Sequence, residues 1–392
     1  MLYASGIKKE KRNERIRLSS KFSICNEEKE LWFEVDKNYS EWVDENNGDP
    51  FLIILWLIAL ENDLDLKLDF PVSNELLYGI NTTLSEVLKP FNPQKRMISI
   101  FATTHSYQYE SSKETATAMS LGVDSFHTLA ANIGSLKPIT ALTLFNAGSF
   151  GSGGEVTNRY FDKMLLQVKE VSEGLGLPLL WVDSNLGQLL NLTFLKTHTF
   201  RHFACAAVFQ KHIKDYFYSS GHKYEDFQVD LADSANYDLI SSLALKTNTM
   251  NFQVFGMGQS RLQKTQVLAG YNPSKTYLNV CLITDEYDSV NEGDLVIKNC
   301  SKCYKCIRTM IMLELLGRLE DYSNIFDLHS YYSNKDKYYA NVYYHYYRSK
   351  NVFSREIIRE IRRTDINMPK GFYISFIKRM FEPVFRKVLK WL

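Results

Sequence analysis

The chain has 392 residues, of which 45% are hydrophobic and 23% charged, and its formal net charge is +1. That length and apolar content suffice for roughly two or three cores. A charge so near zero gives no global basic field, so composition carries no signal for nucleic-acid binding.

Residues 1 to 112 are expected to form an α+β accessory domain. A charged stretch, Lys8 to Arg17, precedes β-like runs at Phe22 to Cys25 and Leu31 to Val35. Phe51 to Leu60 is apolar throughout, too short to cross a bilayer, and follows Asp49-Pro50, which reads as a helix start. A buried helix is expected there. The first residues include Lys, Arg and Glu without an apolar run, so no signal peptide and a cytoplasmic location are expected. This domain would cover a site or pair the subunits of a homodimer.

Residues 113 to 275 read as an α/β domain. Ser120-Leu121-Gly122-Val123-Asp124-Ser125 follows the apolar-leaning run Thr115 to Met119 and opens the segment Phe126 to Ile133. A strand that turns through Ser and Gly into a helix aims backbone N–H groups and the positive helix end at one point, which suits a phosphate. Ser120 and Ser125 can donate hydroxyl bonds, Gly122 lets the backbone approach, and Asp124 can hold Mg²⁺. A plain connector would look the same over six residues. Apolar runs at Ile139 to Phe145 and Leu177 to Val182 flank Glu155 to Glu173, whose apolar residues form one helical stripe. Strands alternating with amphipathic helices predict a parallel sheet with ligands at the strands' carboxyl ends. No Walker lysine motif and no dinucleotide fingerprint occurs.

Further along, a helix is expected from Thr199 to Ile213, with His198 and His202 spaced i, i+4 for packing or capping rather than for a metal. Cys205, in a mostly apolar run, is a core residue or a sulfur carrier. Ser219 and Ser220 end the apolar run Tyr216 to Tyr218, as a turn or near the ligand rim. Arg261 and Lys264 lie one turn apart on one helix face, either solvated or gripping phosphate as a bidentate fork and a point charge.

Residues 276 to 392 are expected to be a metal module with a helical C-terminal region. Cys300, Cys303 and Cys306 crowd one heptad, and Cys281 completes a four-thiolate set suited to zinc. An iron–sulfur cluster is the competitor, although Met310 stands where a further ligand of the bacterial ferredoxin spacing would be. Lys302, Lys305 and Arg308 would offset thiolate charge. The Tyr338 to Tyr347 cluster reads as helix packing, RNA stacking there lacking an accompanying basic stripe. From Gly371 to Leu392 an aromatic and basic amphipathic tail packs on its own domain, or lies on an anionic membrane or in a partner groove, with Pro383 expected to break or kink it.

The 120 to 125 segment resembles the S-G-G-x-D-S pyrophosphate loop of the PP-loop ATP pyrophosphatase superfamily, the adenine nucleotide alpha hydrolases. Leu121 stands where the family has its first Gly, and its Cβ would narrow the loop or displace the pyrophosphate. Joined to the cysteine cluster and to Cys306-Ile307-Arg308-Thr309 opening a helix, the pattern from about Ala116 to Leu316 resembles the 7-cyano-7-deazaguanine synthase family. Asn185, the Thr197-His198-Thr199 helix start and the Ser260-Arg261-x-x-Lys264 motif are similar to PP-loop proteins with an extra N-terminal domain. The resemblance implies a HUP-like PP-loop fold that binds ATP and Mg²⁺ through Ser120, Gly122, Val123, Asp124 and Ser125, with adenine facing Phe145 and Asn146. It implies an ATP-dependent carbon–nitrogen ligase in which a small molecule's carboxylate or carbonyl oxygen is adenylated and a nitrogen donor displaces AMP. Asp124, Arg261 and Lys264 would be catalytic. A sulfur-transferring enzyme and a degenerate nucleotide-binding scaffold are the alternatives.

Overall fold

Alternating apolar and polar residues make Leu2–Ala4 (β1), Arg15–Ile24 (β3) and Glu27–Asp36 (β4) strands with one buried face, and Lys8–Arg12 (β2) pairs along β3 as an exposed edge. Cys25 and Asn26, at φ 50° and 65°, close a two-residue turn that pairs Ile24 with Glu27 and so fixes the β3–β4 register. The structure, a computed structural model, describes residues 1–281, 299–364 and 366–388, with side chains to Phe381.

Two compact units are present: Met1–Ser120 with Asn132–Met257, and Leu121–Ala131 with Gly258–Leu392. These limits differ from the expected boundaries at 112 and 275. In the first unit the remaining strands are Leu66–Leu68 (β5), Val72–Ser73 (β6), Ile100–Phe101 (β7), Thr104–His105 (β8), Glu114–Ala118 (β9), Ala141–Asn146 (β10), Leu179–Ser184 (β11), Ile213–Ser219 (β12) and Asn251–Phe255 (β13). Among the described residues, one mixed sheet runs β13-β12-β9-β10-β11-β4-β3-β1-β5-β7, with β2 on β3 and a separate β6–β8 pair. The five strands from β13 to β11 are all parallel, and counted from β9 their order is 3-2-1-4-5. In such doubly wound sheets the order reverses at the first strand, here between β9 and β12, and ligands favour the carboxyl ends there. The N-terminal strands therefore extend this sheet through the antiparallel β11–β4 pair.

The apolar run after Asp49-Pro50 is the helix Asp49–Asn62, buried from Asp49 to Ala59 as expected of a sequence apolar all round. It packs on the helix Phe194–Ala207, with Trp56 and Phe200 ring centroids 5.8 Å apart. That second helix ends at Ala207, earlier than expected, because a turn at Val208 to Gln210 leads into β12 at Ile213. In the second unit, the helix Tyr304–Leu315 packs on Arg261–Ala269 and Val352–Thr364, and Lys335–Ser349 packs on Val352–Thr364 and Phe372–Val388. The last helix continues past Pro383 to Val388, contrary to the expected break; Leu389 and Trp391 lie outside the described residues. Among the described residues no helix is long and apolar enough to cross a membrane.

Candidate functional site

The heptad 300–306 folds into a turn with Ser301 at φ 57°, which lets backbone donors face the sulfurs. The N–H groups of Lys302 and Cys303 donate to Cys300 Sγ at 3.4 and 3.2 Å, and that of Cys306 donates to Cys303 Sγ at 3.5 Å. Cys303 thereby caps the helix Tyr304–Leu315. Asn279 Oδ1 accepts the Cys281 N–H at 3.1 Å, and Asn299 ties the approaching segments through the Val280 N–H and the Leu278 carbonyl, both at 2.8 Å. As a result, the ligand atoms of Cys281, Cys300, Cys303 and Cys306 all lie within 4.8 Å of one another. Without a cation the group favours protonated thiols: burial pushes Cys300 up to about 11, and hydrogen bonds that Cys306 donates to Cys281 and Cys303 raise its own pKa further. A bound cation inverts that preference, because it stabilises thiolate. The four cysteines could hold a metal ion.

A second cluster lies in the same unit. Ser260 and Gln263 form a reciprocal capping box that starts the helix Arg261–Ala269 and sets Arg261 and Lys264 one turn apart. Both reach Asp124, in the first turn of Val123–Asn132: Arg261 Nη1 donates to Oδ2 at 2.7 Å and Lys264 Nζ to Oδ1 at 3.3 Å. The two cationic side chains are only 8% and 2% exposed. Burial by itself would raise the Asp124 pKa, but the adjacent cations overcome it and hold the carboxyl below the usual range. Both oxygens face protein cations, so direct Mg²⁺ coordination by Asp124 requires these ion pairs to open.

Two further cations complete the cluster, and sequence reasoning had assigned them only to the thiolates. The Phe353 ring carries the guanidinium of Arg261 at 5.1 Å and that of Arg308 at 4.1 Å. Burial lowers Lys305 to about 8 and Arg308 to about 10, with neighbouring guanidinium groups adding to both shifts. Among the described residues neither makes an ion pair with a carboxylate. Glu356 Oε2 accepts the Arg261 N–H at 2.8 Å. The available signal was the helical spacing of Lys305, Cys306 and Arg308, which places cations beside a metal ligand on one rigid element.

Leu121 adopts φ 59°, the backbone a glycine would take, and its side chain is fully buried. An L-residue there costs roughly 1–2 kcal/mol. Its carbonyl accepts the Asn279 N–H at 2.8 Å, so Asn279 contacts both the loop and the Cys281 backbone. Ser125 Oγ donates to the Gly122 carbonyl at 3.0 Å, and Val123 is buried.

Ser120, Phe145 and Asn146 belong to the first unit. Ser120 is exposed, while Phe145 packs edge-on to His202. Asn146 Nδ2 donates to Asp183 at 2.8 Å, and its carbonyl accepts the Ser184 hydroxyl at 2.7 Å. Asn185 bridges to β4, accepting the Trp32 N–H at 3.1 Å and donating to the Glu30 carbonyl at 2.7 Å. His198 bonds Asp233 at 2.9 Å and His202 bonds the Tyr216 hydroxyl at 2.8 Å, so their nitrogens serve packing. Burial holds His202 neutral, down to about 3. Cys205 is fully buried and its thiol is pushed up by that burial. Ser220 Oγ donates to Asp238 at 2.9 Å.

Comparison with protein-family models, curated proteins and solved structures finds no match to this chain.

Proposed function

We propose that the chain is an ATP-dependent ligase that adenylates a carboxylate or carbonyl oxygen of a small molecule for attack by a nitrogen nucleophile. The observation that carries this reading is the cationic cluster of the second unit. Asp124 is distant in sequence from Arg261 and Lys264 yet in direct contact with both, and half-buried Lys305 and buried Arg308 add positive charge without carboxylate partners among the described residues. Buried charge is tolerated when paired, so this cluster favours a polyanion.

In the proposed reaction the substrate oxygen attacks the α-phosphorus of ATP, the bond to the bridging oxygen of the β-phosphate breaks, and pyrophosphate leaves into the field of Arg261, Lys264 and Arg308. The amine or ammonia then attacks the activated carbon, the carbon–oxygen bond breaks with AMP leaving, and the surplus proton goes to solvent. The developing charge on pyrophosphate is where fixed cations stabilise a transition state. Mg²⁺, bound with the nucleotide, would neutralise part of the phosphate charge. Phosphate oxygens would compete with Asp124 for Arg261 and Lys264, freeing the carboxylate to face the metal.

The four sulfurs fit zinc. A zinc tetrahedron with bonds of ~2.3 Å has sulfur–sulfur edges of ~3.8 Å, and Cys300 and Cys306 stand 3.9 Å apart. A multi-iron cluster binds its cysteines through separate irons and spreads them further. Four sulfur ligands leave no open position, so zinc would brace the module. Full burial of Cys205 disfavours the sulfur-transfer alternative. The test is incubation of the metal-loaded protein with Mg-ATP, ammonium and a library of carboxylates. AMP and pyrophosphate in equal amounts support the reading; ADP as product, or no nucleotide binding, refutes it.

A further inference from the structure

The helix Phe372–Val388 has one face committed to Lys335–Ser349. Phe372 is 4% exposed with its ring 5.0 Å from Tyr343, and Phe376 lies 5.9 Å from Tyr347. Ser375 donates to Asp336 at 2.5 Å, and Arg379 reaches Asn341 at 3.3 Å and the face of Tyr344. Most of what this packing leaves outside is apolar. Tyr373, Ile374, Ile377 and Phe381 are 71%, 63%, 57% and 54% exposed. At the helical period these four fall within an arc of about 100°, a continuous stripe rather than scattered exposure.

The charge of this stretch of sequence bears on what the stripe suits. Residues 350–392 contain eleven Lys or Arg against four Asp or Glu, a net +7 in a chain whose total is +1. Lys378 is exposed beside the stripe, and with Lys337, Arg379, Asn341 and Ser375 it lines an open recess of about 470 Å³. A second copy presenting the same basic face would be repelled. A convex helix with aromatic side chains outward and basic side chains at its flank matches the boundary between lipid headgroups and acyl chains, which needs no complementary groove. Because no described helix can span a bilayer, contact would be peripheral.

We propose that the face of Phe372–Val388 formed by Tyr373, Ile374, Ile377 and Phe381 docks on an anionic phospholipid membrane, with Lys378 and the adjoining basic recess receiving headgroup phosphates. The inference is independent of the ATP reading. The test is flotation of the full-length, metal-loaded protein with vesicles of phosphatidylcholine alone or mixed with phosphatidylserine. Binding is expected only to the mixed vesicles and should weaken with salt. The double variant Ile374→Ser/Ile377→Ser should lose about tenfold or more in partition, and Lys378→Gln about fivefold. All three side chains are exposed, so circular dichroism and metal content should be unchanged. Equal binding to neutral vesicles, no binding to either, or retained binding by the double variant overturns the proposal. So does a dimer in light scattering that the double variant dissolves, or capture by an acidic polypeptide without vesicle binding.

Discussion

Two aspartates, Asp49 fully buried in the first unit and Asp124 half-buried in the second, have opposite electrostatics. Asp49, at the start of the long apolar helix, accepts the Ser73 N–H at 2.6 Å, the Ser73 hydroxyl at 2.5 Å and Gln210 Nε2 at 3.1 Å. All three donors are neutral, and burial outweighs them, so its pKa is raised. Asp124 meets Arg261 and Lys264, and despite burial its pKa is lowered. At Asp49 the neutral donors lower the pKa without offsetting burial, whereas at Asp124 two cations do offset it. The first arrangement ties a helix to a strand, and the second belongs to a cluster in which Arg261, Lys264, Lys305 and Arg308 outnumber the carboxylates of Asp124 and Glu356.

The largest perturbation available is loss of the sulfur site. Cys306→Ser should abolish metal binding and cost several kcal/mol, since structural zinc sites contribute of order 10 kcal/mol to small modules. Metal analysis and hydrogen exchange should show protection lost in Tyr304–Leu315 and retained in Asp49–Asn62. Uniform loss in both would erase the contrast between the units. Next in size, Arg261→Met removes a cation from a buried pair and should cost about 3–5 kcal/mol. NMR titration should then find the Asp124 pKa moved upward toward Asp49-like behaviour; an unmoved carboxyl would show that Arg261 does not set it.

Asp49→Asn gives a smaller effect with a diagnostic sign. The folded state binds the Asp49 proton more tightly than the unfolded chain, so its contribution falls as pH rises from the ordinary aspartate range through its raised pKa. The stability deficit of Asp49→Asn should therefore shrink from acid to neutral pH in denaturant titrations. Asp124 contributes in the opposite direction, with stability present above the ordinary aspartate value and lost as pH falls through its lowered one. A further test uses His202, neutral until about 3 when folded. Below the ordinary histidine range it should remove up to about 1.4 kcal/mol per pH unit, a slope that His202→Gln should flatten.

These contrasts also mark what the sequence made legible. Continuous apolar runs located β10 and β11, the all-round apolar stretch located the buried helix, and the cysteine spacing located the sulfur cluster, because each is written within a few residues. The pairing of β4 with β11 has no local signature, so the N-terminal strands looked like a separate domain. The neighbourhood of Lys305 and Arg308 was legible only in part for the same reason: Cys303 does act on both, but so do Asp124 and Arg261. Their helix position was readable, but their proximity to Asp124 depends on how Tyr304–Leu315 packs on Arg261–Ala269. That Leu121 departs from the glycine pattern was readable, but that its backbone takes the glycine conformation with its side chain buried depends on packing around the loop and has no local signature.

The central claim is that the cationic cluster of the second unit receives a polyphosphate. Calorimetric titration of the metal-loaded protein with pyrophosphate, repeated on Arg308→Met, tests it most directly. The account predicts saturable binding to the wild-type protein, weakened about tenfold or more in the variant while metal content and folding are retained. No binding to the wild type, or equal affinity in Arg308→Met, would contradict it.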